Sequence, residues 1–354
     1  MASKTEKLDW RTQKMQKRKR KAEQVENYLE SKKLLEADDC NTIKKSPKLK
    51  SIAIAIAGSI VDNVQTEELA TYLAGQIARA AAIYKIDEII VFDDTCSTGI
   101  NSKAGYESQT WENCVWLAKV LQFLECPQYL RKHLFPLSRD FKFAGLLNPL
   151  DTPHHLRRDS ISLYREGVVV EEVHQHLNQS YANIGLTDNV RLDKCLEPGI
   201  RVTVKLNPGN TGSVVTPREP KETLGLYWGY EVRLARSFSA IFSECPHKKG
   251  YNLTIGTSDK GKPLTETTFS RKKRRRALIA IGGLQGLEFA LSNDENLKSE
   301  DVSLVFDHYV NVCPSQGSRT IRSEEALLIS LALITQKLDE SNISTADDGV
   351  EENE

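Results

Sequence analysis

Three turns rich in glycine and serine fall in the C-terminal part of the chain. They are Gly256-Thr257-Ser258, Gly282-Gly283-Leu284-Gln285-Gly286 and Pro314-Ser315-Gln316-Gly317-Ser318. Glycine lets backbone approach a ligand closely, and loops at the carboxyl ends of strands are where open α/β sheets hold nucleotides. A single such turn is more often only a turn. Three in succession, each following a strand-like run, read as the seat of an adenine-containing ligand. None is the Gly-x-Gly-x-x-Gly of a dinucleotide fold, and none is a phosphate-binding P-loop. After the first strand-like run, Gly58-Ser59-Ile60 offers one glycine only, which argues against a dinucleotide dehydrogenase. No metal site is expected. His154–His155 and His174-x-His176 are the histidine pairs, with no cysteine or carboxylate set nearby, and the seven cysteines show no Cys-x-x-Cys spacing.

The elements that must carry these turns follow from hydrophobic spacing. Ile52 to Ala57 is a short apolar run ending at Gly58-Ser59, the pattern of a buried strand in a parallel sheet. Thr66 caps a helix with Glu67 and Glu68 in its first turn, the sign the helix dipole favours. Leu69, Leu73, Ile77, Ala80 and Ile83/Tyr84 then recur at helical spacing, and Ile86 to Phe92 is the next strand. This βαβ unit makes the fold class α/β, with an open parallel sheet. Residues 111–125 read as a helix ended by Pro127, and Phe141 to Leu147 as a third strand.

Between about 160 and 237 the texture changes to short β-like runs separated by Gly, Pro and Asn. They are Gly167–Val170, Val190–Leu192, Ile200–Leu206, Gly212–Val215 and Tyr230–Leu234. An OB-like β-barrel inserted into the α/β domain is expected. The α/β pattern returns with Leu253–Ile255, Ala277–Ile281 and Val302–Phe306. A last helix from Ser323 to Leu338 is apolar nearly all round, as a helix buried on two sides at a subunit interface would be. The expected organisation is a basic arm at 1–50, an α/β domain at 51–157 and 238–338, the barrel at 158–237 and an acidic tail at 339–354.

Composition bounds the class. With 354 residues, 40% apolar and 27% charged, the chain is ordinary for a soluble globular protein. No apolar run reaches the roughly 20 residues a membrane span needs, and the Lys/Arg-rich N-terminus lacks the apolar core of a secretory signal. A soluble intracellular protein is expected. The net charge of zero hides two basic runs, Lys17–Lys21 and Arg271–Arg276. Such runs bind phosphate, direct nuclear import or are simply solvated faces.

Gly317-Ser318-Arg319-Thr320-Ile321-Arg322-Ser323-Glu324-Glu325-Ala326 resembles the last motif of the SPOUT-superfamily RNA methyltransferases. The likeness is strongest to bacterial ribosomal-RNA enzymes acting on the uracil ring nitrogen N3. Ile281 to Glu288 stands in the place of the preceding glycine-rich motif. Gly75 to Ala81 is similar to the first motif of the ribose methyltransferases, with Ala74 where those carry asparagine. From about 51 to 338, including the barrel and Asn148-Pro149-Leu150-Asp151, the chain resembles the eukaryotic–archaeal branch, some of whose members are associated with the mitotic spindle.

The resemblance implies a C-terminal trefoil knot, a homodimer sharing its active site, and S-adenosylmethionine as cofactor. Carried over by position, Thr257, Ser258 and Lys260 form one wall of the cofactor site, Gly282 and Gly283 the second, and Asn311, Val312 and Ile321 the third. The expected substrate is RNA, foremost ribosomal RNA at uridine N3, in nucleus, nucleolus and cytoplasm or at the spindle. A sulfonium methyl is already activated, so the protein mainly aligns the reactants, and an N3 proton must leave to a base or to water. Arg79, Arg319 and Arg322 are the candidates to hold phosphate or stabilise charge at the target, with ordinary salt bridges as the alternative. Cys313-Pro314 invites a cysteine-nucleophile reading, but Cys126-Pro127 and Cys245-Pro246 repeat the dipeptide, so Cys313 reads as a packed residue. Two other functions compete: a non-catalytic RNA-binding or spindle-associated adaptor on the same fold, and ribose 2'-O-methylation.

Overall fold

The Ile-Ala alternation of the first strand decides which layer covers each side of the sheet. The computed structural model describes residues 51–96, 109–171, 179–270, 276–297, 299 and 301–340. The alternating run is strand β1 (Ser51–Ala57). Ile54 and Ile56 join a core with Leu73, Ile77, Leu121 and Leu331, whereas Ala53, Ala55 and Ala57 join a second core with Phe92, Phe238 and Phe306. Successive strand side chains face opposite ways. Branched residues therefore fill one layer, and methyl groups leave room for rings on the other.

Helix α1 (Glu67–Ile83) starts at Thr66, whose hydroxyl accepts from the Leu69 N–H, and leads into β2 (Glu88–Phe92). Helices α2 (Gln109–Glu125) and α3 (Gln128–Leu134) follow. Next come β3 (Tyr164–Val170), β4 (Tyr181–Asn183), β5 (Val190–Leu192), β6 (Arg201–Asn207) and β7 (Thr211–Val215). Helix α4 (Glu219–Leu224) and β8 (Glu231–Ala235) return the chain to the sheet. The rest is α5 (Ala240–Ser243), β9 (Leu253–Pro263), β10 (Arg276–Ile281), α6 (Gly286–Asn293), β11 (His308–Asn311) and α7 (Ser323–Glu340).

The sheet runs β11-β9-β10-β1-β2-β8 with parallel pairing throughout. Buried residues of α1, α2 and α7 cover one face and those of α5 and α6 the other. The five strands β3-β4-β5-β7-β6 close into the expected barrel, with Val169, Ala182, Ile184, Val190, Leu192, Val202 and Val204 in its core.

Three strand expectations are corrected. Tyr230–Leu234, expected in the barrel, forms β8 (Glu231–Ala235) and pairs with β2 as the sheet's edge strand. Phe141 to Leu147, expected as a third strand, instead forms two 3-10 turns, Arg139–Phe141 and Ala144–Leu146. Phe141 stacks on Phe123 of α2 at 4.6 Å, which folds the segment over that helix, and β8 occupies the place beside β2. Val302 to Phe306 begins as a 3-10 turn because the Asp301 carboxylate accepts from the Ser303 N–H; the strand is β11, a few residues later. The run Lys17–Lys21, residues 271–275 of the second basic run, His174, His176 and residues 341–354 of the acidic tail lie outside the described residues; Asp339 and Glu340 end α7. Among the described residues no helix is long and apolar enough to cross a membrane, and no group of His, Cys, Asp and Glu could hold a metal.

A buried ionic node joins the barrel to α2. Glu125, the last residue of α2, receives two bonds from the Arg201 guanidinium, at 2.6 and 3.0 Å. Arg201 Nε donates to Glu166 at 2.7 Å, and Glu166 also accepts from Thr203 Oγ1 and Trp228 Nε1, both at 2.6 Å. The His155 ring meets the Glu125 carbonyl oxygen at 2.7 Å. Burial works to raise the Glu125 pKa, but the charge and bonds of Arg201, with those of His154, hold it at about 2. Burial, then the neighbouring His154, pushes His155 down to about 4.

Both shifts have the same consequence for acid stability. The unfolded chain takes a proton on His155 below its ordinary 6.5, whereas the folded chain refuses it until about 4. Stability present above 6.5 is therefore lost as pH falls toward 4, and the Glu125 contribution is lost from about 4.5 toward 2. Urea unfolding across pH should show about 3 kcal/mol lost in the upper window. His155→Gln should flatten that window, and an unchanged profile in the variant would remove His155 as its cause.

Candidate functional site

The site is built where β9 leaves its partner. Along β9 the residues Leu253 to Thr257 pair with β10, and His308 and Tyr309 of β11 pair with Ile255 and Gly256. The next residues of β11, Val310 and Asn311, pair with Lys262 and Pro263 instead. The stretch Ser258–Gly261 thereby pairs with neither neighbour, and with Thr257 it forms one wall of a hollow. Gly261 is required at the return, since a Cβ there would overlap the Val310 carbonyl carbon.

The turn after β10 forms the second wall. Gly283 accepts from the Gly286 N–H at 3.1 Å, and a Cβ on Gly282 would stand 2.6 Å from the Gly286 carbonyl carbon. Behind this turn lies Asp94, 1% exposed, whose carboxylate accepts from both the hydroxyl and the N–H of Ser59. Burial raises the Asp94 pKa against those bonds. Gly283 lies against this pair: its Cβ would fall 3.1 Å from Asp94 Oδ2.

The chain after β11 is the third wall, and side chains stitch the three together. Asn311 Nδ2 donates to the Asp259 carbonyl at 2.7 Å, while its Oδ1 accepts from the Cys313 N–H at 2.8 Å. Ser323 Oγ donates to the Gly282 carbonyl at 3.2 Å. Lys260 Nζ reaches Glu288 at 3.3 Å across the rim, and Thr257 Oγ1 donates to the Ala280 carbonyl at 3.0 Å.

The hollow measures about 920 Å³. All eight residues expected to hold a cofactor line it: Thr257, Ser258, Lys260, Gly282, Gly283, Asn311, Val312 and Ile321. Arg319 and Arg322 line it as well, exposed and without an ion-pair partner among the described residues. Glu325 takes the backbone N–H of Arg322, at 3.1 Å, which starts α7. Arg79 is not in the hollow. Its guanidinium donates to the Leu150 carbonyl at 2.6 Å, beside a neighbouring depression lined by Gln76, Leu146, Asn148 and Glu324. Cys313 lines the hollow half-buried.

Ser323, Glu288 and Ser330 also belong to the site and were not anticipated. Ser330 is fully buried on α7 and lines the hollow, with a hydroxyl lacking a partner among the described residues. Its signal in the sequence was a lone serine among Leu327, Leu331 and Ile334. Glu288 and Ser323 stand within the quoted motifs, but their partners, Lys260 and the Gly282 carbonyl, depend on which loops come together.

A hollow of glycine turns at the carboxyl ends of parallel strands is where open α/β sheets hold nucleotides, and Arg319 and Arg322 place positive charge on its lining. Residues 51–334 match the model of a family described as "Putative RNA methyltransferase", and the chain belongs to that family, the SPOUT methyltransferases. Family membership implies a methyl donor. The chain is 50% identical over 310 residues to the 28S rRNA (uridine-N(3))-methyltransferase of Drosophila melanogaster, which covers 83% of this chain and 64% of the fly protein. It is 49% identical over 300 residues to the Homo sapiens protein of the same name, covering 80% and 77%. Identity to the Mus musculus counterpart is 51% over 296 residues, covering 80% and 76%. The chain thus spans a little under two thirds of the fly relative's length.

The stitches differ in what they contribute. Asn311→Ala removes two hydrogen bonds from partly enclosed backbone groups and should cost about 1 to 3 kcal/mol. Lys260→Ala breaks an exposed pair and should change stability by less than about 1 kcal/mol. Urea denaturation of both variants checks the order; equal losses would mean that Asn311 is not what holds the first and third walls together.

Proposed function

We propose that this chain transfers a methyl group from S-adenosylmethionine to N3 of a uridine in large-subunit ribosomal RNA. The observation that carries the reading is the convergence of the three wall segments, with all eight motif residues, on one hollow. The printed names of the fly, human and mouse relatives support the substrate and the atom. Ala74 is fully buried in α1, so the position where ribose enzymes carry asparagine is packing here, which favours base over ribose.

The residues present fit the cofactor. A hollow of this size suits a nucleoside-sized ligand, and the unpartnered Ser330 hydroxyl offers it a polar contact on the α7 side. Thr257, Ser258 and Lys260, the Gly282-Gly283 backbone, and Asn311, Val312 and Ile321 would hold it. Asn311 contributes main chain rather than side chain, both ends of its amide being engaged. Bound S-adenosylmethionine supplies a methyl group already activated on its sulfonium.

Arg319 and Arg322 hold RNA phosphate or neutralise charge that develops on the target ring. Arg79 acts at a distance, tying α1 to the Leu150 segment. A second copy of the chain docks on the apolar face that α1 and α7 leave exposed, at Leu69, Tyr72, Ile83, Leu328 and Leu333. A trefoil path of the chain through the three walls and a nuclear or nucleolar location belong to the same reading.

Calorimetric titration with S-adenosylmethionine should give saturable binding near one per chain, and Gly282→Val should abolish it because the turn can no longer close. Normal binding in that variant would put the cofactor elsewhere. Incubation with 28S rRNA, followed by mass spectrometry of the nucleosides, should yield 3-methyluridine; a ribose-methylated product would overturn the assignment of the atom. Arg319→Ala should lower the rate by about 10- to 100-fold while leaving cofactor affinity intact.

A further inference from the structure

The stretch 128–147, which connects α2 toward the barrel, holds four Lys/Arg and one carboxylate in a chain of zero net charge. It comprises α3 and the two 3-10 turns, and it wraps the outside of α2. Its rings are only half buried. Phe141 stacks on Phe123 at 4.6 Å, and Phe135 meets both edge-on at 5.5 and 5.7 Å. That packing explains why the segment folds down, and Arg131, 4.4 Å from the centre of the Phe123 ring, completes it.

The packing does not explain what remains outside. Leu137 is fully exposed. Phe143 lies half-exposed, with the Lys142 ammonium 4.5 Å from its ring centre. Lys132 and Arg139 are exposed and have no carboxylate partner among the described residues. Lys142 also lies 3.8 Å from Glu67, so the unpaired cations among the described residues of the belt are Lys132 and Arg139. A partly exposed ring beside such cations is the make-up of a surface that stacks bases and tracks a phosphate backbone.

The belt also has a direction. At one end His133 meets Asn183 of β4, 3.4 Å away, so the belt is continuous with the barrel surface. At the other end Leu146 and Asn148 line the depression beside Arg79, which shares Tyr72, Gln76, Glu324 and Glu325 with the hollow.

We infer that residues 132–143 form a contact surface for single-stranded RNA flanking the methylated nucleotide, running between the barrel and the hollow. This rests on the RNA methyltransferase reading for the identity of the polyanion. Lys132 and Arg139 bind phosphates, and Phe143 stacks a base. An acidic protein segment would satisfy the cations but would leave the ring faces without a partner, so RNA is the occupant the composition favours.

The test uses the full chain and a fluorescently labelled single-stranded uridine-rich oligoribonucleotide, titrated across salt concentration. Lys132→Ala with Arg139→Ala should weaken binding about tenfold at low salt and reduce the salt slope by about 1.4, the value for two lost phosphate contacts on a single strand. Phe143→Ala should cost at least about fivefold with the slope unchanged. Both variants alter solvent-facing groups, and their melting curves should superimpose on that of the parent chain. Unchanged RNA affinity and slope in the double variant overturns the proposal, as does polyglutamate competing as well as the oligonucleotide. S-adenosylmethionine titration in parallel separates the two readings. Normal cofactor binding with weakened RNA binding supports the belt, whereas belt-dependent RNA binding by a chain that takes no cofactor keeps the belt and removes the methyltransferase assignment.

Discussion

A single break in register organises the functional end of this molecule. Between Tyr309 and Val310 the ladder on β9 jumps from Gly256 to Lys262. A parallel ladder normally holds every residue in place, so the skipped residues bulge away from β11, and beyond Thr257 they have no strand partner on either side. They lie toward the carboxyl edge, where the turns after β10 and β11 already lie. The hollow is therefore a product of sheet geometry: three of its walls follow β9 and the two strands that pair with it, and residues of α1 and α7 complete the lining. Gly261 permits the return because no side chain could pass the Val310 backbone so closely.

The barrel depends on a different kind of interaction. Glu125, Arg201 and Glu166 are largely withdrawn from water, and each carboxylate has more than one donor. An ion pair of this kind adds little over well-packed apolar residues, but removing one partner leaves a buried charge, at a cost of about 3 to 5 kcal/mol. Its contribution is directional: it admits one arrangement of β3 and β6 against the end of α2, whereas an apolar contact would tolerate sliding.

The sheet's interior was legible because its signals are local. Ile-Ala alternation, a Thr cap before two glutamates, and a Pro after a helix each act within a few residues. Barrel strands were legible for the same reason, except β4, whose Tyr-Ala-Asn offers no branched aliphatic residue to mark it. One expectation failed in its pairing partner and two in element type. Tyr230–Leu234 looks the same whether it closes a barrel or edges a sheet, and only its register with Glu88–Phe92 decides. Phe141 to Leu147 was misread because apolar residues gathered for an aromatic stack mimic a strand. The wall residues of the hollow were found through motif likeness, and composition alone gave only three glycine turns. The bonds that join the walls could not be read from any one segment, since each links residues that are distant in sequence.

Placing β8 at the edge has a consequence for how the chain reaches its fold. β2 and β8 are neighbours in space, yet everything from Phe92 to Glu231 intervenes. Closing so long a loop as flexible chain is an entropic burden that grows only slowly with length, by about 0.6 kcal/mol per doubling, but must be met before any pairing is gained. The inserted module relieves it. Once β3 to β7 have closed on themselves and gripped α2, the strand's entry point is tethered nearby, and β8 has a short distance left to search. The insertion, once folded, shortens the search that the edge strand of its host would otherwise make.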